Sequence, residues 1–301
     1  MRGMSVEVLR VSKRYGSQWA LKKVGFIIEK PQVVALLGPN GAGKSTLMKI
    51  MTTYISPDEG DVRINGLSIY ENPMEIRRIT GYLPEHNPLY LNMFVFEYLE
   101  FTAGFYKVSK KRIFEAAEMT GLLPEAHKRI GQLSKGYRQR VGLAAAVVHN
   151  PAVMILDEPT TGLDPVQVVE IRNLIKELSK NKIILLSTHI MQEVHRIADR
   201  VIILNRGELI LDKPVSELEH VKQTVVVEFD MRMEEEWLRR IPGITDVKNL
   251  GGNVWELSWN DEKKDVRSQI FDFAVRHDLK ILRMETLSAD WEEIFTEQVK
   301  K

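Results

Sequence analysis

Two hydrophobic patterns run through the first two thirds of the chain. Short apolar runs, as expected of strands buried on both faces, occur in PQVVALLG, VMILDEP and IILLSTH. Each is followed by helical periodicity, in KSTLMKIMTT, PVQVVEIRNLIKELS and EVHRIADR. Because buried strands that alternate with helices form parallel sheets, this part of the chain is predicted to be an α/β domain.

Further elements surround this alternating core. Strands are predicted in VEVLRVSKRY and KKVGFIIEK, a short hairpin with Asn65-Gly66 as its turn in DVRINGLSI, and two closing strands in VIILNRGELIL. Between about residues 87 and 150 the pattern becomes helical. This block lies between two of the strands, so it is predicted to form an inserted helical subdomain.

Residues 222–301 show a different order of elements. Strands are predicted in TVVVEFDM, TDVKNL, NVWELSW and LKILRMETLS, and helices in EEEWLRRIPG and DEKKDVRSQIFDFAVRHD. The resulting order is β-α-β-β-α-β, which is that of a ferredoxin-like α+β domain. An amphipathic terminal helix is predicted in ADWEEIFTEQVKK.

Composition and charge divide the chain at the same place. The 301 residues are 44% hydrophobic and 28% charged, which is typical of globular proteins, and the length suggests about two domains. Residues 1–215 carry a net charge of +7 and residues 216–301 one of −6, and four of the five tryptophans lie in the second part. The predicted domains are therefore residues 1–215 and residues 222–301.

Several classes of protein are excluded or disfavoured by composition. The chain has no cysteine, which excludes disulfides, thiolate metal sites and cysteine nucleophiles. Its net charge of +1 argues against a protein that coats nucleic acid, so no nucleic-acid partner is expected. No apolar run approaches the roughly 18 residues of a membrane span. The N-terminus MRGMSVEVLR lacks an apolar signal core, and a cytoplasmic location is expected.

The first chemical motif is GPNGAGKST, which follows a predicted strand and opens a predicted helix. It fits the pattern G-x-x-x-x-G-K-[ST] with Gly38, Gly43, Lys44 and Ser45. In this pattern backbone N–H groups cradle phosphate oxygens, the lysine reaches the β- and γ-phosphates, and the hydroxyl binds Mg²⁺. A chance glycine-rich turn is the alternative, but the strand before and the helix after favour nucleotide binding.

The second motif is a pair of carboxylates, Asp157 and Glu158, at the end of the strand VMILDEP. Ligands bind at the carboxyl ends of parallel strands. Alone, such a pair is more often a solvated edge. After a phosphate loop, Asp157 is expected to bind Mg²⁺ and Glu158 to take a proton from the attacking water.

The order of the remaining motifs makes residues 4–215 resemble the ATP-binding cassette of ABC transporters. The family's signature corresponds to LSKGYRQR at residues 133–140, and its D-loop corresponds to TGLDP at residues 161–165. The switch histidine corresponds to His189, which ends the strand IILLST. The adenine-stacking aromatic corresponds to Tyr15, 23 residues before the first glycine of the phosphate loop.

The resemblance implies a set of site residues, with ATP and Mg²⁺ as cofactors. The residues implied to bind the nucleotide are Tyr15, Gly38, Pro39, Asn40, Gly41, Ala42, Gly43, Lys44, Ser45 and Thr46. The signature residues Ser134, Lys135, Gly136 and Tyr137 are implied to contact the nucleotide that the facing cassette binds. The implied catalytic residues are Glu158, His189 and Lys44, and the implied metal ligands are Ser45, Asp157 and Glu85. Asp164 is the D-loop aspartate, and its position before Pro165 also fits a helix N-cap.

The resemblance also implies partners. One cassette supplies one phosphate loop and one signature, so two copies are expected to face head to tail and complete two ATP sites. A separate integral-membrane permease is expected, with this chain peripheral on the inner face of the cell membrane. The surface around Glu85 and residues 86–106, rich in Leu, Phe and Tyr, is the expected dock; simple core packing is the alternative for each aromatic.

Two departures from the family pattern stand out. The signature carries Lys135 and Tyr137 where the family has glycine and glutamine, but it keeps Ser134 and Gly136, so activity is expected to remain. Glu85 stands where the family usually has glutamine, and it is either a ligand on the metal side or a loop residue that points into solvent. The signature style resembles ABC-2 type exporters, and GYLPEHNPLY with the long tail resembles the gliding-motility subgroup.

Two other functions stay open at this point. A soluble ABC ATPase of translation or DNA repair is the main alternative, although such proteins carry paired cassettes or long coiled coils. A nucleotide sensor without activity is the other, and the presence of Glu158 and His189 argues against it. The function expected from the sequence is ATP hydrolysis that drives a membrane transporter, with export favoured.

Overall fold

The computed structural model describes residues 4–218, 223–259 and 265–287. The chain forms two compact units, Met1–Val215 and Ser216–Lys301.

The elements of the first unit begin with its strands. They are β1 (Val6–Tyr15), β2 (Gln18–Ile28), β3 (Gln32–Leu37), β4 (Glu59–Ile64), β5 (Leu67–Ser68), β6 (Thr80–Leu83), β7 (Val153–Leu156), β8 (Ile183–Thr188), β9 (Arg200–Asn205) and β10 (Glu208–Pro214). The helices are α1 (Lys44–Met51), α2 (Pro73–Ile79), α3 (Val95–Tyr106), α4 (Lys110–Met119), α5 (Lys135–Val147), α6 (Pro165–Ser179) and α7 (Met191–Ile197), and α8 (Val215–Leu218) follows β10.

A central sheet organises the first unit. Within residues 4–218 it joins six strands in the order β10-β9-β3-β8-β7-β6. All neighbours pair in parallel except β10, which runs antiparallel to β9 at the edge. Every residue of β7 and β8 is buried, which explains why both sequences are apolar. The predicted α/β fold with a parallel sheet is confirmed.

A second, antiparallel sheet has the strand order β2-β1-β4-β5. One core cluster includes Val8 and Ile28 from this sheet, Leu47 of α1, and Val34 and Leu36 of β3. The helix that follows the phosphate loop is therefore anchored in the same core as both sheets. Burial of this cluster stabilises the loop's position by the hydrophobic effect.

The helical block is shorter than predicted. Helices α3, α4 and α5 occupy residues 95–147, whereas residues 87–94 contain no helix. The apolar positions Leu99, Ile113 and Val141, one on each helix, are buried. Three elements were not predicted at all, namely α2, β6 and the short helix α8. β6 is four residues long and contains Gly81, so its hydrophobic pattern is too short to identify a strand.

The second unit has the element order β-α-β-β-α-β. Its elements are β11 (Gln223–Phe229), α9 (Glu235–Leu238), β12 (Asp246–Gly251), β13 (Val254–Trp259), α10 (Arg267–Arg276) and β14 (Ile281–Leu287). The sheet order is β12-β13-β11-β14, with antiparallel neighbours. That this unit is an independent ferredoxin-like domain stays a prediction, and the predicted terminal helix lies outside the described residues.

Over residues 4–218, 223–259 and 265–287, no helix has the length and apolar character that crossing a membrane requires.

Candidate functional site

The site lies at the carboxyl edge of the central sheet, where ligands bind in α/β folds. Four adjacent strands, β3, β8, β7 and β6, end there, with Leu37 beside Thr188 and Leu83 beside Leu156. The phosphate loop follows β3, His189 follows β8, Asp157 and Glu158 follow β7, and Glu85 lies two residues after β6. The sheet thus brings residues that are distant in sequence to one edge.

The phosphate loop turns sharply into α1. Gly43, the residue before the helix, has a φ of 107°, in the region that favours glycine. A Cβ on Gly43 would lie 2.4 Å from the carbonyl oxygen of Ala20, and one on Gly38 would lie 2.3 Å from that of Leu204. These glycines are therefore required both for the turn and for the close approach of neighbouring strands.

The loop lines a cavity of about 500 Å³. Its walls are formed by Tyr15, Gln18, Ala20, Asn40, Gly41, Ala42, Gly43, Lys44, Ser45, Thr46, Glu85, Glu158, Thr161 and His189. Tyr15, the last residue of β1, is half exposed, so its ring is available for stacking. This volume and the mixture of an aromatic face with cationic and hydroxyl groups fit a nucleotide.

Lys44 is the cation of this cavity. Its side chain is buried, and its amine donates hydrogen bonds to the carbonyl oxygens of Gly38 at 2.7 Å and Pro39 at 3.2 Å. Burial lowers the pKa of the amine, while the charges of Glu158, Asp157 and Glu85 act in the opposite direction. These three carboxylates are therefore close enough to Lys44 to act on its charge.

Glu158 has a strained backbone that is held by hydrogen bonds. Its φ is 50°, which is uncommon for a residue with a side chain. Its backbone N–H donates to the Ser187 hydroxyl at 2.8 Å, and that hydroxyl donates to Asp157 Oδ1 at 2.6 Å. Thr161 Oγ1 donates to Glu158 Oε2 at 2.9 Å. Ser187 therefore orients both acids of the pair.

His189 contacts the acid that was predicted to be the base. Its Nδ1 lies 3.0 and 3.1 Å from the two carboxylate oxygens of Glu158. The ring is half exposed and lines the nucleotide cavity. The structure thus joins Glu158 and His189, which are 31 residues apart, in one hydrogen-bonded pair.

The signature residues and Asp164 are not among those that line this cavity, whereas Thr161, the first residue of the D-loop, does line it. Ser134 caps α5 by accepting a hydrogen bond from the Tyr137 N–H at 3.4 Å. Asp164 caps α6 by accepting one from the Gln167 N–H at 2.9 Å, so the predicted capping role is confirmed. A Cβ on Gly162 would meet the Lys135 amine, which places the signature beside the D-loop.

The donor groups fit Mg²⁺ as well as ATP. Among the described residues, no group of three or more His, Cys, Asp or Glu side chains could hold a metal ion by itself. Mg²⁺ typically uses one or two carboxylates together with substrate phosphates and water. Ser45 and Asp157, with Glu85 nearby, supply this kind of partial ligand set.

A larger cavity of about 730 Å³ shares Ser45 and Glu85 with the nucleotide cavity. It is lined by residues of α1, β6 and the helical block, including Tyr54, Tyr82, Tyr98, Tyr106, His149 and Glu85. We call it the tyrosine groove. Glu85 lines both cavities, so the surface around this residue is concave, and its role as a dock stays a prediction.

Sequence reasoning missed several residues of the site. Gln18 and Ala20 line the nucleotide cavity from β2, Thr161 binds Glu158, and Ser187 orients Asp157. The polar Ser187 at the end of an otherwise apolar strand was the available signal. No sequence pattern marks Gln18 or Ala20, because the approach of β2 to the loop depends on long-range pairing.

The fold and site together define a P-loop ATPase cassette, and comparison with known proteins specifies it. Residues 21–161 match the ABC transporter family. The chain is 34% identical to the ABC transporter ATP-binding protein YxlF of Bacillus subtilis (strain 168), covering 98% of this chain and 99% of that protein. It is 30% identical to the bacitracin transport ATP-binding protein BcrA of Enterococcus faecalis, covering 98% and 96%.

A solved structure shows the same fold. A dimeric ATP-binding cassette in a post-hydrolysis state, bound to ADP and Pi, superimposes with a TM-score of 0.65 at 28% identity, covering 70% of this chain and 98% of that one. The chain belongs to the ABC transporter ATP-binding proteins. It is an ATPase that uses ATP and Mg²⁺, as predicted.

Proposed function

We propose that the chain hydrolyses ATP to power export through a separate membrane permease, from the cytoplasmic face of the membrane. The observation that carries this proposal is the hydrogen-bonded pair of Glu158 and His189 beside the phosphate loop. The similarity to a bacitracin transport subunit over 98% of the chain supports transport rather than a role in translation or repair. The gliding-motility subgroup stays a prediction.

The chain's own residues divide the work of hydrolysis. The Tyr15 ring stacks on the base, and the Lys44 amine leaves its loop carbonyls to neutralise the β- and γ-phosphates. Ser45 and Asp157 hold Mg²⁺, which when bound neutralises phosphate charge. Glu158 takes a proton from the attacking water, and His189 holds the γ-phosphate.

A second copy of the chain completes each site. Ser134, Lys135, Gly136 and Tyr137 reach the nucleotide of the facing cassette in a head-to-tail homodimer. Two observations support this arrangement: these residues do not line the cavity of their own chain, and the similar solved cassette is dimeric. Asp164 caps the start of α6, and Gly162 of the same loop lies beside Lys135 of the signature, which supports a D-loop role for Asp164 at the contact between the copies.

The Glu158→Gln variant tests the catalytic assignment. It keeps the size of the side chain and removes the base, so phosphate release should fall roughly 10²–10⁴-fold while ATP binding persists. With ATP the variant should also run as a dimer in size-exclusion chromatography. The matched control is Glu177→Gln, an exposed acid on α6. Wild-type phosphate release by Glu158→Gln would contradict the assignment.

The tyrosine groove is the proposed dock of the permease. Tyr54 lines it and is 74% exposed, so its removal should not disturb folding. The Tyr54→Ala variant should co-purify less permease than the wild type after co-expression with a membrane protein of about six spans. The control is Tyr70→Ala, an exposed tyrosine outside the groove. Equal recovery with both variants would exclude this wall of the groove as the dock.

A further inference from the structure

A buried carboxylate lies behind the switch histidine. Glu193, on α7, is only 7% exposed, and Thr188, the last residue of β8, is 1% exposed. The Thr188 hydroxyl donates a hydrogen bond to Glu193 Oε2 at 3.0 Å. A buried carboxylate is costly unless it is paired, so this contact is a specific feature of the fold.

The same hydroxyl controls the backbone on the other side of His189. Thr188 Oγ1 accepts a hydrogen bond from the Ile190 N–H at 3.0 Å. Thr188 is also held in register beside Leu37, the residue that precedes the phosphate loop. His189 is thus fixed through both of its neighbours, and Glu193 is the group that orients the hydroxyl that does this.

A cation completes the arrangement from a different helix. Arg172 Nη2, on α6, lies 3.8 Å from Glu193 Oε1, and the arginine side chain is 15% exposed. Asp164 caps the start of the same helix. Glu193 therefore contacts two elements at once, the end of β8 and α6. It does not line the nucleotide cavity.

We propose that Glu193 is a positioning residue for hydrolysis, which acts on ATP only through His189 by way of the Thr188 hydroxyl. This proposal rests on the proposed role of His189 in holding the γ-phosphate. Loss of Glu193 leaves Thr188 without its acceptor, and the 188–190 backbone can then place the imidazole away from Glu158 and the phosphate. Nucleotide affinity, which depends mainly on the phosphate loop and Tyr15, changes much less than kcat.

The first test measures hydrolysis and ATP affinity in folded Glu193→Ala protein. We expect kcat to fall between about 10- and 100-fold, the size of effect that a small displacement of a catalytic group produces, with a much smaller change in the Kd for ATP. Glu193→Gln, whose amide oxygen can still accept from Thr188, should recover most of the loss. The matched control is Glu177→Ala, which removes an exposed acid from α6. An unchanged kcat in Glu193→Ala overturns the proposal.

A double-mutant cycle then separates positioning from general destabilisation. If Glu193 acts through His189, adding Glu193→Ala to His189→Ala should cause no further fall in kcat. Multiplication of the two effects overturns the proposal. A His189→Ala variant with wild-type hydrolysis would instead refute the proposed role of His189 itself.

A second pair of variants keeps the test decisive if Glu193→Ala does not fold. Thr188→Val removes only the hydroxyl, and Thr188→Ser restores it. We expect Thr188→Val to lower kcat and Thr188→Ser to retain it, again with no added loss in the His189→Ala background. Equal activity of the valine and serine variants overturns the proposal.

Discussion

His149 is a partly buried histidine that lines the tyrosine groove. Its ring stacks on Tyr106 at 3.8 Å, and its Nε2 donates to the carbonyl oxygen of Thr80 at 3.2 Å. Its Nδ1 is buried without a hydrogen-bond partner, so a proton there would find no acceptor. Burial lowers the pKa of this histidine from 6.5 to about 4.

This histidine makes stability depend on pH. Between pH 6.5 and about 4 the unfolded chain binds a proton at His149 that the folded chain does not, so stability falls as the pH falls through this range. The shift alone corresponds to a loss of about 3 kcal/mol near pH 4. Because the ring keeps some solvent contact, which screens the charge, the expected loss of stability is about 2 kcal/mol. Urea unfolding at several pH values measures it.

A comparison of variants isolates the contribution of His149. His149→Gln can keep the hydrogen bond to Thr80 but does not titrate, so its stability should fall less between pH 7 and pH 4.5 than that of the wild type. The exposed His127→Gln serves as the control and should follow the wild type. Parallel pH profiles for wild type and His149→Gln would show that the histidine does not titrate as expected.

Glu85 presents a second question at the scale of one residue. It lines both cavities, and its charge acts on Lys44. A carboxylate offers acceptors only, whereas an amide both donates and accepts and is a weaker ligand for Mg²⁺. Glu85→Gln should therefore raise the Mg²⁺ concentration needed for half-maximal ATPase activity.

The Mg²⁺ titration has a clear control. Glu118 is an exposed acid on α4 that lines neither cavity, so Glu118→Gln should leave the Mg²⁺ midpoint where the wild type has it. If Glu85→Gln also leaves the midpoint and transport unchanged, Glu85 is only a residue of the loop.

At the scale of elements, α6 connects several parts of the molecule. Its N-terminus is capped by Asp164, Pro165 occupies its first position, and Arg172 approaches Glu193 from its middle. The proline has no N–H to satisfy, and the cap satisfies that of Gln167. The D-loop sequence is therefore also the helix start signal.

Removing the cap should destabilise the protein measurably. Asp164→Ala should lower the free energy of unfolding by about 1 kcal/mol, because the Gln167 N–H loses its acceptor. Asp164→Asn, which can still cap the helix, should retain most of the stability. Urea denaturation of both variants tests this. An equal loss of stability in the alanine and asparagine variants would show that the charge of Asp164, not its capping hydrogen bond, holds the start of α6.

At the scale of the whole molecule, the two compact units divide the chain at Val215. The nucleotide cavity is built entirely from residues of the first unit. A chain truncated after Val215 should therefore still bind ATP with the affinity of the full chain. Lys44→Ala in the same truncated chain should weaken binding. A folded truncated chain without nucleotide binding would show that the second unit contributes to the cassette.

The sequence by itself determined the local features of this protein. The phosphate loop, the acids after β7, the cap of α6 and the buried strands depend on residues that are neighbours in the chain, so their patterns are visible without a structure. The same holds for the charge difference between the two parts. The sequence did not reveal β6, because four residues are too few to show a hydrophobic pattern. It also placed the start of the helical block too early, because residues 87–94 are rich in apolar side chains but are not helical.

Only the tertiary structure decided how these pieces meet. The contacts of His189 with Glu158, of Ser187 with Asp157 and of Arg172 with Glu193 join residues from separate strands and helices. They follow from the strand order β3-β8-β7-β6, which no local pattern encodes. The tyrosine groove arises in the same way, from the packing of the helical block beside β6. Such contacts depend on which surfaces can be buried together, and that is a property of the folded chain as a whole.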